Sequence, residues 1–363
     1  MHEKIHYSQL AIMVYMVQSG IIIFALPRIV AEAFGMNGWL GIMGLSVLVL
    51  VNLYFIILVY KKGAGRSVFT IVEASLPKFV YYPLYIFMIT TFGLLAVLVA
   101  KNYVMRIQLT MFPDVKPNYF LVYFLLLILF FLSKGIYNMS KITVVFFFST
   151  VWLLFLLFIL IPEFSFTRLT TFFFQGATDP IGKGIEAYTS FLGYELTLFL
   201  IPYVQKDGNF GKAIVFGHLF TTFVYTVTCF MTMGFFSFNQ LKNILYPTHT
   251  ILKFMQTPLI ERIENFVFAF ILLKVIVTVA FYYWAALEVS QSMLKSVNKK
   301  WLIALMFLGS FLVGAVLDVQ REINELFTII TIPQIIFAFS FPLLLLCLLW
   351  LNKRKERMNT EIA

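Results

Sequence analysis

The chain has 363 residues, of which 61% are hydrophobic and only 12% charged. Soluble domains carry nearer 45–50% apolar residues, so this composition excludes a water-soluble globule and points to a polytopic membrane protein. The formal net charge of +10 is not the footprint of a nucleic-acid binder, because the basic residues concentrate in short loops between apolar runs, where they set orientation.

A hydrocarbon core of about 30 Å asks for roughly 20 apolar residues per helix. On that template the predicted spans are residues 9–31, 40–60, 80–100, 119–132, 142–161, 184–204, 213–238, 266–287, 301–317 and 326–351. The fourth is short; Lys134 and Lys141 flank a tight turn from it into the fifth. The expected fold is therefore all-α, with ten transmembrane helices in one polytopic unit over 1–363 and a basic tail at 352–363. No cleavable leader is read at the first apolar run, which lacks a small-residue cleavage site. Lys and Arg number sixteen on one side of this topology and nine on the other, with Arg28 and Lys274 inside spans, so both termini are expected in the cytoplasm. Trp39, Trp301 and Trp350 near span ends fit interfacial anchors. Stripes such as 146–148 read as packing or lipid-facing.

In chain order, the first span already has an interruption. Gln18-Ser19-Gly20 precedes Phe24-Ala25-Leu26-Pro27, and Gly20 frees the backbone where Pro27 removes a donor. The connection at 66–77 places Phe69, Ile71, Val72 and Leu76 around Glu73, an amphipathic pattern. In the third span Phe92, Gly93 and Ala96 share a helical face, either pocket wall or ordinary packing. The outer segment 162–183, with phenylalanine at 172–174, and the segment 239–265, with Pro247 and Pro258, are long enough to serve as lids. Resting on the membrane surface is the equal alternative.

The sixth span, 186–204, is the centre of the reading. Gly193 stands two residues before Glu195, and Phe199-Leu200-Ile201-Pro202 echoes the first span's 24–27. A carboxylate at membrane depth costs roughly 2.5–3.5 kcal/mol on insertion scales, so it faces a cavity or a partner. Irregular backbone at that depth is tolerated only inside protein or along a cavity. Two interrupted segments in corresponding positions of two halves point to the binding site of an inverted-repeat transporter fold. Gly20 and Gly193 have a second reading as small residues that allow close helix contact. If both helices unwind, their exposed amide ends suit a carboxylate and their freed carbonyls an ammonium, the two ends of a small α-amino acid. In the eighth span Lys274, Thr278 and Tyr282 follow i, i+4, i+8 and form one polar face. Lys274 is expected to join Glu195 or the freed carbonyls, against a structural ion pair or an outward-reaching lysine; Glu195 divides between a gating role and structural pairing. His218 reads as a polar packing residue before a proton relay. Cys229 and Cys347 lie in apolar spans, so neither a disulfide framework nor a metal cluster is legible, and with no nucleotide loop or triad in view an enzyme and a cofactor are not expected.

The ordered motifs Ser8-Gln9, Gln18-Ser19-Gly20, Phe24-Ala25-Leu26-Pro27, Gly193-Tyr194-Glu195 with Ile201-Pro202, and Glu261-Arg262-Ile263-Glu264 resemble the B subunit of bacterial spore germinant receptors, within the amino acid–polyamine–organocation superfamily. The resemblance implies two inverted five-helix repeats with spans one and six unwound, residence in the spore inner membrane, A and C partner subunits, and a small germinant such as an amino acid. It also implies a site of Gly20, Ile21, Phe92, Ala96, Leu192, Gly193, Tyr194, Thr278 and Tyr282. Lys274 has no settled place in that pattern. An amino-acid permease, proton-coupled through Glu195 or Lys274, and a ligand-gated conduit for ions or small solutes are the competing readings.

Overall fold

The computed structural model describes residues 3–169, 172–206, 208–254 and 262–362, and within them the chain is helical, with no strand. In chain order the helices are α1 (Tyr7–Gln18), α2 (Leu26–Phe34), α3 (Trp39–Lys62), α4 (Val68–Ser75), α5 (Lys78–Met111), α6 (Pro117–Ser133), α7 (Gly135–Val151), α8 (Phe166–Leu169), α9 (Pro180–Thr189), α10 (Thr197–Leu200), α11 (Phe210–Phe235), α12 (Phe238–Asn243), α13 (Pro247–Phe254), α14 (Ile263–Met293), α15 (Lys299–Val316) and α16 (Gln320–Ile362). A 3₁₀ segment, Trp152–Glu163, prolongs α7. Among the described residues seven helices are long and apolar enough to cross a membrane: α3, α5, α7 with its extension, α11, α14, α15 and α16. Apolar α6, at 17 residues, is shorter.

The local signals are readable in the chain. His6 and Gln9 form a capping box that opens α1, so the Ser8-Gln9 motif is a helix start. Pro117 and Pro180 sit in the first turn, where a missing N–H costs nothing, and Asp179 caps α9 through Gly182 N at 2.8 Å. Residues 66–77 yield α4, its Val68, Ile71 and Val72 turned into the core and Glu73 bonded to Ser292 in the last turn of α14 and to Lys295 just beyond it.

Two rods are interrupted, as the glycine and proline positions predict. The first runs through α1, leaves helical geometry at Ser19 and Gly20, makes a 3₁₀ turn at Ile21–Phe24 and resumes as α2. The second is α9, which stops at Thr189, turns through 190–193 and continues as short 3₁₀ and α pieces to Tyr203. Around them α14 packs most extensively on α5, α11 on both α1 and α3, and α2 on α9. At the end of the bundle where α1 begins, Ile5 and Val204 form an isolated parallel bridge, Lys4 Nζ donates to the Pro202 carbonyl at 3.0 Å, and Tyr203 donates to Glu288 at 2.7 Å. The chain's entry is thereby stitched to the far end of the second rod.

Several boundaries move. The third predicted span is 34 residues long and reaches Met111, so Lys101 and Arg106, read as loop charges, lie within it. Lys101 is fully buried, donating to Asn118 Oδ1 at 2.9 Å with Asp318 at 3.6 Å. The segment 239–265 carries most of α12 and all of α13; Thr248 donates to the Ile23 carbonyl at 3.0 Å, and the His249 ring lies edge-on to Phe24 and Phe268. Pro258 and Glu261, named in the sequence reading, lie outside the described residues.

Candidate functional site

The two breaks meet at one place, and the hydrogen bonds show why. Tyr225, buried on α11, donates its hydroxyl to the Gln18 carbonyl at 2.7 Å and lies 3.2 Å from the Ser190 carbonyl, the last groups before each chain leaves its helix. Gln18 Nε2 donates to the Phe191 carbonyl at 2.7 Å. On the other side Thr278 reaches the Val17 carbonyl at 3.0 Å. Carbonyls orphaned by the interruptions are thus satisfied by side chains of α1, α11 and α14, as buried backbone requires.

The second break turns on Gly193, whose φ of +111° is closed to side-chain-bearing residues and whose Cα faces Val17. Glu195 follows, fully buried. Its Oε2 accepts from Gly193 N at 2.7 Å, and its Oε1 accepts from Gln334 Nε2 at 2.8 Å and Tyr282 at 3.1 Å. The carboxylate is a clasp that holds the unwound backbone to α14 and α16. Tyr194 bonds Tyr188 at 2.8 Å and receives Asn52 Nδ2 at 2.9 Å, which fastens the same turn to α3.

A cavity of about 320 Å³ opens from these breaks toward the end bearing Arg28, Lys183 and Glu186. Gly20, Ile21, Leu192, Thr278 and Tyr282, expected from the sequence, wall it. Phe92 and Ala96 do not: Phe92 packs behind Tyr282 against Phe199 and Phe337, and α5 instead presents Leu95, Val99, Asn102 and Arg106. That stripe follows i, i+4, i+7, i+11, turned about 60° around the helix from the expected face. Gly193 and Tyr194 shape the turn from behind. The missed wall residues include Gln18, Ser190 and Tyr246; the polar members of the α5 stripe were the signal that could have found its inward face.

The expected meeting of Lys274 and Glu195 does not occur. Lys274 Nζ donates to Tyr15 at 2.8 Å, 4.8 Å from that ring's centroid, and walls a separate apolar cavity of about 70 Å³ with Ser19 and Ile23. Among the described residues no carboxylate lies within ion-pairing distance of it. At the cavity mouth Lys183 lies 2.6 Å from Glu186 and 3.5 Å from Glu32, with Arg28 3.6 Å from Glu32. His218, buried on α11, lies 3.3 Å from Gln18 Nε2 and 2.8 Å from Ser46 Oγ.

An all-helical, multi-pass membrane bundle with a small-molecule-sized cavity between two interrupted helices is the class these observations define. The profile of the spore germination protein family matches residues 4–320, and the chain belongs to that family. It is 25% identical to spore germination protein GerQB of Bacillus cereus over 315 residues, 86% of each chain. Over 369 aligned positions, 98% of each chain, it is 20% identical to spore germination protein B2 of Bacillus subtilis (strain 168). Spore germination protein YndE of the same strain is 28% identical over 187 residues, about half of each chain.

Proposed function

We propose that this chain is the ligand-sensing membrane subunit of a spore nutrient receptor, and that the cavity between the two breaks receives a small germinant, an α-amino acid. The observation that carries the reading is the convergence of both unwound segments on one cavity through Tyr225 and Gln18. Unwound backbone at this depth suits the polar ends of a small zwitterion, beside a wall that also carries Arg28, Arg106, Lys183, Glu186 and Glu325. Gly20, Ile21, Leu192, Thr278 and Tyr282 contact the occupant; Phe92, Ala96, Gly193 and Tyr194 support them from behind.

The architecture we assign is ten spans in two inverted five-helix repeats, 9–161 and 184–351, each opened by an interrupted rod. Both termini face the cytoplasm. The asymmetry of Lys and Arg supports this, and it strengthens once Lys101 and Arg106 are taken out of the loops. The chain works in the spore inner membrane with A and C subunits, and occupancy of the cavity triggers germination.

The test is binding of a labelled panel of α-amino acids to the purified chain and to Gly20→Leu and Thr278→Leu, beside uptake into vesicles holding the chain alone. Saturable binding lost in both variants, with no uptake, is the expected result. Gradient-driven uptake by the chain alone would make it a permease instead, and binding unchanged in both variants would remove the cavity from the argument.

A further inference from the structure

Gln18 ends α1, is 3% exposed and walls the cavity, yet its amide oxygen Oε1 has no hydrogen-bond partner among the described residues. Which way the amide faces follows from its neighbours. The Phe191 carbonyl, 2.7 Å from Nε2, can only accept, so the nitrogen must be on that side. The same nitrogen lies 3.3 Å from His218 Nδ1, which therefore accepts and leaves the ring proton on Nε2. That proton is directed at Ser46 Oγ, 2.8 Å away. The Ser46 hydroxyl in turn lies 2.7 Å from Thr222 Oγ1, whose own hydrogen goes to the His218 carbonyl at 3.0 Å. Every donor in this buried chain has an acceptor, the His218 Nε2 proton having the Ser46 carbonyl at 3.3 Å as well as the nearer Oγ. Reversing the Gln18 amide would set oxygen against oxygen at Phe191 and break the chain at its first link.

We infer that Gln18 Oε1 is the acceptor by which the cavity reads an N–H or ammonium group on its occupant, and that His218 and Ser46 are positioning residues holding it there. This rests on the small-molecule reading of the cavity above and names the chemistry at one end of it. The cations that wall the cavity each have a partner, Glu32 for Arg28 and Lys183 and Asn102 for Arg106, and Lys274 is turned to Tyr15 on the other side of the break. The carboxylates of the cavity wall are already paired, Glu186 with Lys183 at 2.6 Å and Glu325 with Arg321 at 2.7 Å, and behind the wall the oxygens of Glu195 are taken by Gly193, Gln334 and Tyr282. A neutral acceptor at this position favours a donor-bearing ligand without the cost of burying an unpaired carboxylate when the site is empty.

The experiment measures the twenty common α-amino acids against the full-length chain in detergent, by competition, each beside its deaminated carboxylic acid. Wild-type protein should prefer an amino acid to its deaminated partner. Gln18→Met, of matching length, should shrink that preference by about 10- to 100-fold, the loss of one charge-assisted hydrogen bond, while the deaminated acid binds as before. Ser46→Ala, which leaves Gln18 in place and removes the nearer of the two acceptors at the imidazole Nε2, the Ser46 carbonyl at 3.3 Å remaining, should shrink the same preference a few-fold. Equal weakening of both compounds in Gln18→Met, or no weakening, overturns the assignment and leaves the cavity reading standing. Binding of none of the twenty by wild-type protein overturns both. Should a thermal melt show Gln18→Met unfolded, an unchanged preference in Ser46→Ala overturns the assignment.

Discussion

Replacing Gly193 by alanine tests the junction on which the site depends. At φ +111° a side chain is strained wherever it points, about 1–2 kcal/mol for leaving the right-handed region. The new Cβ would also lie 2.5 Å from Val17 Cγ1, inside the range that forces a neighbour to move. Val17 is 4% exposed and packed at the end of α1, so relief requires shifting the first break; overpacking of this kind costs about 1–3 kcal/mol. Together the two effects predict a destabilisation of about 2–5 kcal/mol. Thermal unfolding of purified Gly193→Ala in micelles should show it, and a cycle with Val17→Ala should separate its parts. Removing Cγ1 relieves the overlap and leaves the backbone strain, so the pair should couple favourably by about 1–3 kcal/mol. Additive effects, or a Gly193→Ala protein that melts with wild type, would refute the account of how the two breaks touch.

Glu195→Gln keeps the shape of the clasp but not its chemistry. Gly193 N, Tyr282 and Gln334 all donate to the carboxylate, so an amide must turn its NH₂ toward one of them; a loss of about 1–3 kcal/mol in melting experiments is expected, and a neutral result would count against the clasp. His249, on α13 outside the spans, has its pKa lowered to about 4, first by burial and then by Lys253, Arg106 and Arg262 against the opposing pull of Glu264. Its neutral form is the one the fold accepts, so its contribution is complete above the free value of 6.5 and is lost as pH falls from there toward 4. Melting temperature should drop across that window in wild type and drop less in His249→Phe; parallel curves would remove His249 from the acid response.

The coarse fold was legible because lipid allows so few solutions: apolar runs of span length must be helices, and Gly20, Pro27, Gly193 and Pro202 mark where two of them cannot be continuous. Length was less legible. α5 carries Lys101 and Arg106 past the apparent end of its apolar run because each finds partners inside the bundle, Asn118 for one and Asn102 with the Tyr246 ring for the other. A hydropathy window sees the charge and not the partner. Gly20, Ile21 and Leu192 followed from the breaks, whereas the α5 wall was missed because a rotation of about 60° separates the pair Phe92 and Ala96 from Leu95 and Val99. Lys274 and Glu195 shared enough sequence logic to be paired, but pairing depends on which way each helix faces, and Tyr15 stood nearer to one and Gln334 to the other.

Tyr225 deserves a last consequence. One phenol hydroxyl reaches the ends of both interrupted rods, its single proton given to Gln18 at 2.7 Å and shared with Ser190 at 3.2 Å, so a slip of either rod along its axis disturbs that bond. The two breaks therefore share a single opening equilibrium instead of two independent ones, and a molecule that touches only one of them still changes the free energy of the other. The two rods are thus a hinge with two leaves and one pin.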